Sequence, residues 1–565
     1  MKIFEIIFIS IFILAFLLRI SGIGFGLPSK NLAVTTYNPD EALTFQVMEK
    51  WNPKKLDFHP RRVFLWGGFH LYVIAPILKI SQIIGYLKIG SKEFYMKNLY
   101  EADKLYIIGR IIMILFSSLS VLIIYLICKN SYNSLSGLLS CLLLAILPVH
   151  VINSFYLRPD IIMLFFGLVS IYFSIKIIEK NETKYYILSC IFIGIATATK
   201  LSGAVYGIVP ICAHFVSSKE WKEKLNDYRL YVIPLICLIS FFICTPYALI
   251  DFNKTTESFW SYFKMNFGLT KETMYPASII IFGTGYKSYL RYFLPIGIGN
   301  ILFYTGIAGL FLMLLNVIIR KFLPKIRSKL LITEPIKSIK SDIIFICSGI
   351  IIFFVISYPK NQVIWYIIPL VPFILIYIVR FFDLLMKINF IPIYVKLISI
   401  VFIIVGGSIY SFAYLNLYYS KNVREIASEW IEKNIPHNKT ISIARSWFWT
   451  PSILRQYNPP YRLLMGGDFY TTVDDSVIGL DKILKLSDYV VLTEYEYRNY
   501  IHPKIKSFYP EQSKIIDKIF YSKDYIKVAE FKRDAKFLWF TFKKKYPPQD
   551  WLIPNPDIII FQKII

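Results

Sequence analysis

Residues 107–127 read IIGRIIMILFSSLSVLIIYLI, and this stretch indicates whether the chain folds in water or in a lipid bilayer. Apart from Arg110 it carries no charge. Its length is enough for a helix to cross the hydrocarbon core of a bilayer, which takes about 20 residues. The stretch therefore predicts a transmembrane helix.

Similar apolar runs recur along the chain. They cover residues 3–20, 134–152, 160–178, 185–199, 201–216, 230–249, 292–319, 342–358, 363–379 and 397–417. Of the 565 residues, 56% are hydrophobic and only 18% are charged, and the mean hydropathy is +0.52. A soluble protein needs more charge to cover its surface. The runs predict a polytopic α-helical membrane protein with about 11 spans. No small-residue cleavage site follows the first run, so we expect it to be retained.

The net charge of +26 raises the question of nucleic-acid binding. No DNA- or RNA-binding motif accompanies that charge, and the excess lysine lies largely in short loops between apolar runs. Positive charge in such loops sets the orientation of a membrane protein. We therefore expect membrane lipids as a partner and no nucleic acid.

The segment 63–87 is apolar but contains two adjacent glycines, His70 and Pro76, a poor composition for a lipid-facing helix. If this segment does not cross the membrane, most basic loop residues fall on one side. These are Lys176, Lys180, Lys184, Lys219, Lys222, Lys224, Arg229, Arg320, Lys321, Lys325, Arg327, Lys329, Lys337, Lys340, Arg380, Lys387 and Lys396, against Arg158, Lys200 and Lys360 opposite. Because cytoplasmic loops are rich in Lys and Arg, we predict an in-plane or re-entrant element at 63–87 and a cytoplasmic N-terminus.

This topology turns three segments outward: the loop 21–106, a smaller loop at roughly 250–288, and everything after Ser420. The last of these is no longer membrane-like. It opens with an amphipathic helix at 424–433 and continues with short β-rich runs. The runs lie at 441–444, 489–492, 526–529 and 557–560. The pattern predicts a transmembrane domain at 1–420 and an extracytoplasmic α/β domain at 421–565.

The outer loop carries the motif Tyr37-Asn38-Pro39-Asp40-Glu41. Asn38 and Pro39 suit the start of a helix, and acids favour the positive helix end, so capping alone is one reading of the motif. Neighbouring helical residues point about 100° apart, so Asp40 and Glu41 cannot both address one substrate atom. Glu41 has the spacing to close a capping box. Asp40 is then the candidate general base, and Glu41 stays beside it among the candidate catalytic residues.

A second acid, Asp160, opens the fourth apolar run on the same predicted face as Asp40. Basic residues at neighbouring span ends are Arg110, Lys200 and Arg291, of which Lys200 has no loop to solvate it. A cation placed so is suited to a lipid phosphate. His70 is a candidate for substrate binding as well, although a buried, hydrogen-bonded histidine is the favoured interpretation. Asp40, Asp160 and a histidine are able to hold a divalent ion, but no HxxxH or dense acidic cluster demands one, and no cofactor is required.

These residues resemble a known family in their order and spacing. The shared features are the acidic pair after the first span, Pro159-Asp160, Thr199-Lys200, YIIPLVP at 366–372 and EWIEKNIP at 429–436. Together they resemble the GT-C glycosyltransferases of the protein O-mannosyltransferase and aminoarabinose transferase type. The Trp-Trp-Asp-Tyr-Gly signature of oligosaccharyltransferase catalytic subunits is absent. That absence argues against transfer of a whole glycan to asparagine.

The resemblance implies a GT-C fold with in-plane helices, embedded in the cell membrane with its active site outside. It implies a sugar donor on a polyprenyl (dolichyl-type) phosphate and a protein, lipid or glycan acceptor. By this analogy Asp40 deprotonates the acceptor hydroxyl, which inverts the anomeric carbon, and Asp160 orients the acceptor or a sugar hydroxyl. Lys200, then Arg110 and Arg291, stabilise the leaving phosphate.

Two other classes remain open from the sequence. A transporter or flippase of lipid-linked sugars also has many spans, but it often shows inverted repeats and mid-membrane charges, and neither is visible in this sequence. A non-catalytic membrane scaffold is the other alternative. Transfer of a labelled sugar, rather than its vectorial movement, distinguishes the enzyme from both.

Overall fold

The computed structural model describes residues 2–61, 66–217, 221–267, 269, 276–322, 335–445, 448–467 and 472–564. Within these ranges the first three quarters of the chain is helical, and the last quarter combines helices with a sheet. The predicted fold class, a polytopic helical membrane protein with a C-terminal α/β region, is confirmed.

Seven helices of the described residues are long and apolar enough to cross a bilayer. They are Ile3–Ile20, Leu99–Ser131, Pro159–Lys180, Asn300–Arg320, Ile336–Ser357, Ile364–Lys387 and Ile393–Asn434, the last of which includes a break after Tyr419. The pair Ser134–Ile146 and Pro148–Ser154 becomes an eighth if it is one span bent by 58°. The bend has a local cause, because Leu147 precedes Pro148 and takes an extended conformation. The protein is therefore integral to a membrane.

Three further predicted runs form shorter apolar helices, at Thr183–Thr199, Leu201–Ser217 and Tyr228–Cys244. The total of about 11 spans stays a prediction, since these helices fall below the spanning length. The in-plane element likewise stays a prediction. Its described part is the helix Phe69–Ile83, and residues 63–65 lie outside the described residues.

The predicted run 292–319 is not one continuous helix. A π-helical turn at Tyr289–Phe293 leads into Leu294–Ile298, and a new helix starts at Asn300. Between them Gly299 has a φ of +92°, a left-handed conformation that glycine adopts without a steric penalty. The break therefore lies at a glycine that takes a left-handed conformation.

Shorter helices connect the spans. They are Pro28–Asn31, Pro39–Met48, Pro53–Lys55, Lys92–Lys97, Trp221–Asn226, Tyr247–Ile250, Phe252–Asn266, Pro276–Phe282 and Tyr286–Ser288.

Burial separates central helices from lipid-facing ones. The most apolar window of Ile364–Lys387 is 89% buried, and that of Pro159–Lys180 is 67% buried. The corresponding windows of the first and last spans are only 11% buried. An exposed apolar helix surface in this setting faces lipid rather than water. The helices Ile364–Lys387 and Pro159–Lys180 therefore lie in the interior of the bundle. Both contribute residues to the site described below.

The C-terminal region contains a five-stranded sheet. Its strands and those of a separate hairpin are β1 (Thr440–Ile443), β2 (Arg462–Met465), β3 (Tyr489–Thr493), β4 (Tyr525–Phe531), β5 (Ala535–Phe537), β6 (Phe540–Phe542) and β7 (Ile558–Lys563). The order in the sheet is β2-β1-β3-β7-β4, with β1 parallel to β2 and β3, and β7 antiparallel to its neighbours. The four predicted strand runs correspond to β1, β3, β4 and β7. The sequence did not predict β2 or the β5–β6 hairpin.

Further helices belong to the C-terminal region. They are Val423–Asn434, Ser452–Arg455, Val473–Ile483, Leu484–Leu486, Glu494–Ile501, Pro503–Lys506, Pro510–Tyr521 and Gln549–Leu552.

The β5–β6 hairpin packs on the spanning helix Ile393–Tyr419. Phe537 stacks on Phe412 with ring centroids 5.1 Å apart, and Phe542 meets Tyr410 edge-on at 5.2 Å. Aromatic pairs of this kind add roughly 0.5–1.5 kcal/mol each beyond their buried area. The contacts hold the C-terminal region against the transmembrane helices.

Candidate active site

The helix Pro39–Met48 presents Asp40 in its first turn. The side-chain oxygen of Asn38 accepts a hydrogen bond from the Asp40 N–H at 3.0 Å, and Pro39 takes the first helical position. The predicted N-cap is therefore confirmed. Because Asn38 performs the capping, the Asp40 carboxylate is not needed for it. Its side chain is 30% exposed, which leaves it accessible to a substrate.

Glu41 turns the other way and is fully buried. Its two carboxylate oxygens accept from Arg110 Nε at 2.9 Å and Nη2 at 2.7 Å. They also accept from the Thr36 hydroxyl at 2.5 Å and from the Leu157 N–H at 2.8 Å. The predicted capping box is wrong, because the acceptors it needs are used by Arg110. Glu41 also has no exposed atom to offer a substrate, so its predicted catalytic role is corrected to a structural one, as the partner of Arg110.

Arg110 is likewise not available for a lipid phosphate. Besides its bidentate pair with Glu41, its Nη1 donates to the carbonyl oxygens of Ile23 and Phe25 at 2.7 Å each. The side chain is 1% exposed. We correct the sequence prediction accordingly: Arg110 ties the helix Leu99–Ser131 to the start of the outer loop and to Glu41. A buried pair of this geometry fixes the position of Asp40, the next residue along.

Four charged side chains meet at the ends of three helices. Arg158 Nη2 lies 3.3 Å from Asp40 Oδ2 and 3.5 Å from Asp160 Oδ2, and Lys200 Nζ lies 2.6 Å from Asp160 Oδ1. Arg158 and Asp160 flank Pro159 at the start of the helix Pro159–Lys180, and Lys200 follows the last residue of Thr183–Thr199. We call these four residues the charged cluster. The sequence had placed Asp40, Asp160 and Lys200 on one face, and the structure brings all three together.

The sequence analysis did not identify Arg158 as a site residue. It treated Arg158 only as one of the basic residues in the outer loops. Its guanidinium carbon lies 4.0 Å from the centroid of the Trp365 ring, and its side chain is 4% exposed. The Nε and Nη1 atoms are buried and have no hydrogen-bond partner in the described structure. An unsatisfied buried guanidinium is costly unless a ligand completes it. The signal in the sequence was the position of Arg158 two residues before Asp160.

The 3-10 helix Ile364–Leu370 lies over both cations of the charged cluster. Trp365 stacks on Arg158, and the next ring, Tyr366, lies 5.4 Å from Lys200 Nζ. Cation–π contacts of this kind gain strength where water is excluded. The motif at 366–372 that contributed to the family resemblance thus begins in the wall of the site.

His70 and Arg291 differ in their relation to the charged cluster. His70 is fully buried, close enough for the charges of Asp160 and Lys200 to act on it. Neither ring nitrogen has a hydrogen-bond partner in the described structure, so the expected hydrogen bond is absent from these ranges. Arg291 is exposed and stacks on Tyr292 at 5.4 Å. Within the described ranges it forms no ion pair with Asp40 or Asp160, and the structure does not bring it into the cluster.

A metal site was left open by the sequence. The described residues contain no group of three or more His, Cys, Asp or Glu arranged to hold an ion. Within the charged cluster each carboxylate faces a cation instead: Asp40 faces Arg158, and Asp160 faces Lys200.

Residues 105–247 match the model of the dolichyl-phosphate-mannose-protein mannosyltransferase family. The predicted resemblance is confirmed over this part of the chain. The matched segment contains Arg158, Asp160 and Lys200, three of the four members of the charged cluster. It supports glycosyl transfer as the general type of activity. No curated protein matches the chain.

Solved structures with a similar outline include AglB, an oligosaccharyltransferase from Archaeoglobus fulgidus in complex with an inhibitory peptide and a dolichol-phosphate. It is 12% identical, covers 97% of this chain and 77% of its own, and gives a TM-score of 0.48. ArnT from Cupriavidus metallidurans in the apo state is 11% identical, with 98% and 97% covered and a TM-score of 0.42. ArnT bound to undecaprenyl phosphate is 12% identical, with the same coverages and a TM-score of 0.40. These similarities are too low to assign an activity.

Proposed function

We propose that this protein transfers a sugar from a polyprenyl (dolichyl-type) phosphate to an acceptor hydroxyl at the outer face of the membrane. One observation carries the proposal. The partly exposed carboxylate of Asp40 lies 3.3 Å from Arg158, whose Nε and Nη1 have no partner in the described structure. A base and an unused anion-binding group are thus adjacent, as the transfer requires. The family match over 105–247 supports the same reaction class.

In the proposed step Asp40 accepts the proton of the acceptor hydroxyl. The oxygen attacks the anomeric carbon, the bond from that carbon to the phosphate oxygen breaks, and the configuration is inverted. The polyprenyl phosphate departs with the bonding electrons and gains negative charge. Cations that contact this phosphate bind it more strongly in the transition state than in the donor, which is the condition for catalysis.

Arg158 is the first candidate for the phosphate contact and Lys200 the second. Arg158 has two unused N–H groups in a planar fork, the geometry that suits phosphate oxygens. Lys200 is engaged by Asp160 at 2.6 Å, so a phosphate must share it or displace that carboxylate. This ranking of phosphate-binding candidates replaces the predicted ranking, which was Lys200, then Arg110 and Arg291. Asp160 then holds both cations and orients them, and His70 borders the same site.

Orientation completes the proposal. The charge asymmetry of the loops supports an orientation with the charged cluster and the C-terminal region outside the cytoplasm, on the face where the proposal has the polyprenyl-phosphate sugar presented. The family description names mannose, but the cluster itself recognises phosphate rather than one sugar. The acceptor is a hydroxyl of a protein, a lipid or a glycan.

A reconstitution experiment tests the proposal. Purified protein in vesicles is given a radiolabelled polyprenyl-phosphate sugar together with a cell-surface extract as acceptor. Release of free sugar or its appearance on an acceptor supports the enzyme. Movement of the intact lipid across the bilayer without cleavage contradicts it and identifies a flippase. Neither cleavage nor movement, by a folded protein that binds the lipid, identifies a scaffold. The label on the acceptor also reports which sugar and acceptor are used.

A further inference from the structure

A carboxylate of the C-terminal region lies at the start of the segment that covers the charged cluster. Asp550 lies in the short 3-10 helix Gln549–Leu552, and its Oδ2 accepts a hydrogen bond from the Ile364 N–H at 2.5 Å. Ile364 is the first residue of the 3-10 helix Ile364–Leu370. The N–H groups in the first turn of a helix have no partner within that helix. Asp550 therefore caps, from about 190 residues away in sequence, the segment that covers the cluster.

The hydrogen bond at Ile364 affects the positions of Arg158 and Lys200. The residues that follow it are Trp365, which stacks on Arg158, and Tyr366, which lies over Lys200. A shift of the segment start moves both rings. Because the rings help fix the direction of each cation, the Asp550 hydrogen bond acts on the phosphate-binding groups through the backbone without touching them.

Asp550 is itself held in place by its neighbours. The hydroxyl of Tyr495 donates to the Gln549 carbonyl at 2.7 Å, and Trp551 packs on Tyr414 of the last spanning helix at 5.4 Å. The short helix is thus fixed both to the C-terminal region and to the membrane helices. Because this short helix is fixed on both sides, the Asp550 carboxylate is suited to set the position of the segment Ile364–Leu370.

The charged and titratable groups facing Asp550 come from two elements. They are Arg158 at the start of Pro159–Lys180, and Tyr495 and Arg498 on the helix Glu494–Ile501. Burial nonetheless raises the pKa of the Asp550 carboxyl to about 7, so this position carries an electrostatic cost. An apolar or amide side chain would avoid that cost, yet the chain has a carboxyl here, facing Arg158.

We propose that Asp550 is a positioning residue for donor binding, through which the C-terminal region completes the phosphate site by capping Ile364–Leu370. The inference rests on the proposed function, because it takes the charged cluster to be the phosphate site. It adds a role for the C-terminal region that the cluster alone does not require.

Three single variants test it. Asp550→Ala removes the acceptor for the Ile364 N–H, whereas Asp550→Asn keeps an oxygen that can accept it. Thr472→Ala is the matched control, because Thr472 caps another helix of the same region by accepting from the Asp475 N–H. It makes no contact with Ile364–Leu370 in the described structure. Two quantities are measured for each full-length variant: hydrogen exchange of the peptide containing 364–370, and the Kd for a short polyprenyl phosphate.

We expect Asp550→Ala to speed exchange in 364–370 and to raise the Kd by about tenfold, the size of one charge-assisted contact. Asp550→Asn and Thr472→Ala should stay within about threefold of the wild type, since both keep an acceptor at Ile364. An unchanged Kd in Asp550→Ala overturns the inference, and so does a Kd in Asp550→Asn as high as in Asp550→Ala. If the wild type itself does not bind the lipid, the proposed function fails. The exchange measurement then still reports whether Asp550 holds the segment.

Discussion

At the scale of single residues, two adjacent acids have opposite environments. Asp40 is 30% exposed and faces Arg158, whereas Glu41 is buried in four hydrogen bonds. A helix separates neighbouring side chains by about 100°, so this division follows from the backbone. It predicts that conservative amide substitutions at the two positions fail in different ways.

Asp40→Asn should abolish most activity without unfolding the protein. The amide cannot accept a proton, and Asn38 still caps the helix. Loss of a general base lowers turnover by roughly 10²–10⁴-fold. Steady-state kinetics with a labelled donor measure this, and donor Kd should change little because Arg158 and Lys200 remain. Asp57→Asn, in the same outer loop, is the control. Wild-type turnover in Asp40→Asn, at equal amounts of folded protein, would remove Asp40 from the mechanism.

Glu41→Gln should lose stability first. It leaves the Arg110 guanidinium buried without a counter-charge, and breaking a buried pair costs roughly 3–5 kcal/mol. The variant should melt at a lower temperature in detergent and express poorly. Activity per folded molecule should fall less than in Asp40→Asn. A variant with wild-type thermal stability would show that the Arg110 pair contributes little, and would contradict this account of Glu41.

Alanine substitutions of Arg158 and Lys200 should weaken donor binding to different extents. Arg158→Ala removes unused N–H groups as well as the stack on Trp365, and a charge-assisted contact contributes roughly 1.5–3 kcal/mol. We expect a rise in polyprenyl phosphate Kd of about ten- to a hundredfold. Lys200→Ala should also weaken binding, but less, since Lys200 is shared with Asp160. Binding is measured by titration in detergent. A larger effect at Lys200 than at Arg158 would restore the order that the sequence suggested.

At the scale of elements, the 3-10 helix Ile364–Leu370 joins parts that are far apart in sequence. Its first residue bonds to Asp550, and its rings meet cations from two other helices. The short element therefore transmits changes between the C-terminal region and the charged cluster. Its coupling to Asp550 also has a consequence for pH.

Asp550→Asn should flatten part of the pH dependence of stability. The ordinary pKa of this carboxyl is 3.8, and burial in the folded protein raises the pKa to about 7. Between these values the folded state binds more protons than the unfolded state, so this group lowers stability as pH rises through the window. Melting temperatures from pH 4 to 7.5 should therefore fall more steeply for wild type than for Asp550→Asn. Parallel curves would show that the carboxyl is not protonated in that range.

At the scale of the whole molecule, orientation follows from charge rather than from packing. Basic residues cluster in the loops between helices, and the C-terminal sheet lies after the last spanning helix. Part of the most basic loop, residues 323–334, lies outside the described residues. Orientation relative to the cell is therefore a matter for labelling.

Single cysteines in a cysteine-free background should report the two faces. Ser507 and Lys184 are both exposed, one in the C-terminal region and one in the first turn of the helix Thr183–Thr199, next to a loop predicted to be cytoplasmic. Ser507→Cys should react with a membrane-impermeant reagent on intact cells, and Lys184→Cys only after permeabilisation. The reverse pattern would invert the topology and place the charged cluster inside.

The sequence by itself determined that the chain is built for a membrane, the places of seven helices of spanning length, four strands of the sheet and the N-cap before Asp40. These depend on local composition and periodicity, which the chain carries wherever it is placed. It also placed Asp40, Asp160 and Lys200 on one face, because span order fixes the side on which each loop emerges.

Only the tertiary structure decided which charges pair. Arg110 was expected at the phosphate and instead pairs with Glu41, whereas Arg158 was overlooked and lies beside Asp40. Partners of this kind lie tens to hundreds of residues apart, as Asp550 and Ile364 do, and no local pattern encodes them. Pairing is set by which buried groups meet once the helices pack, since an unpaired charge in the interior is too costly to keep.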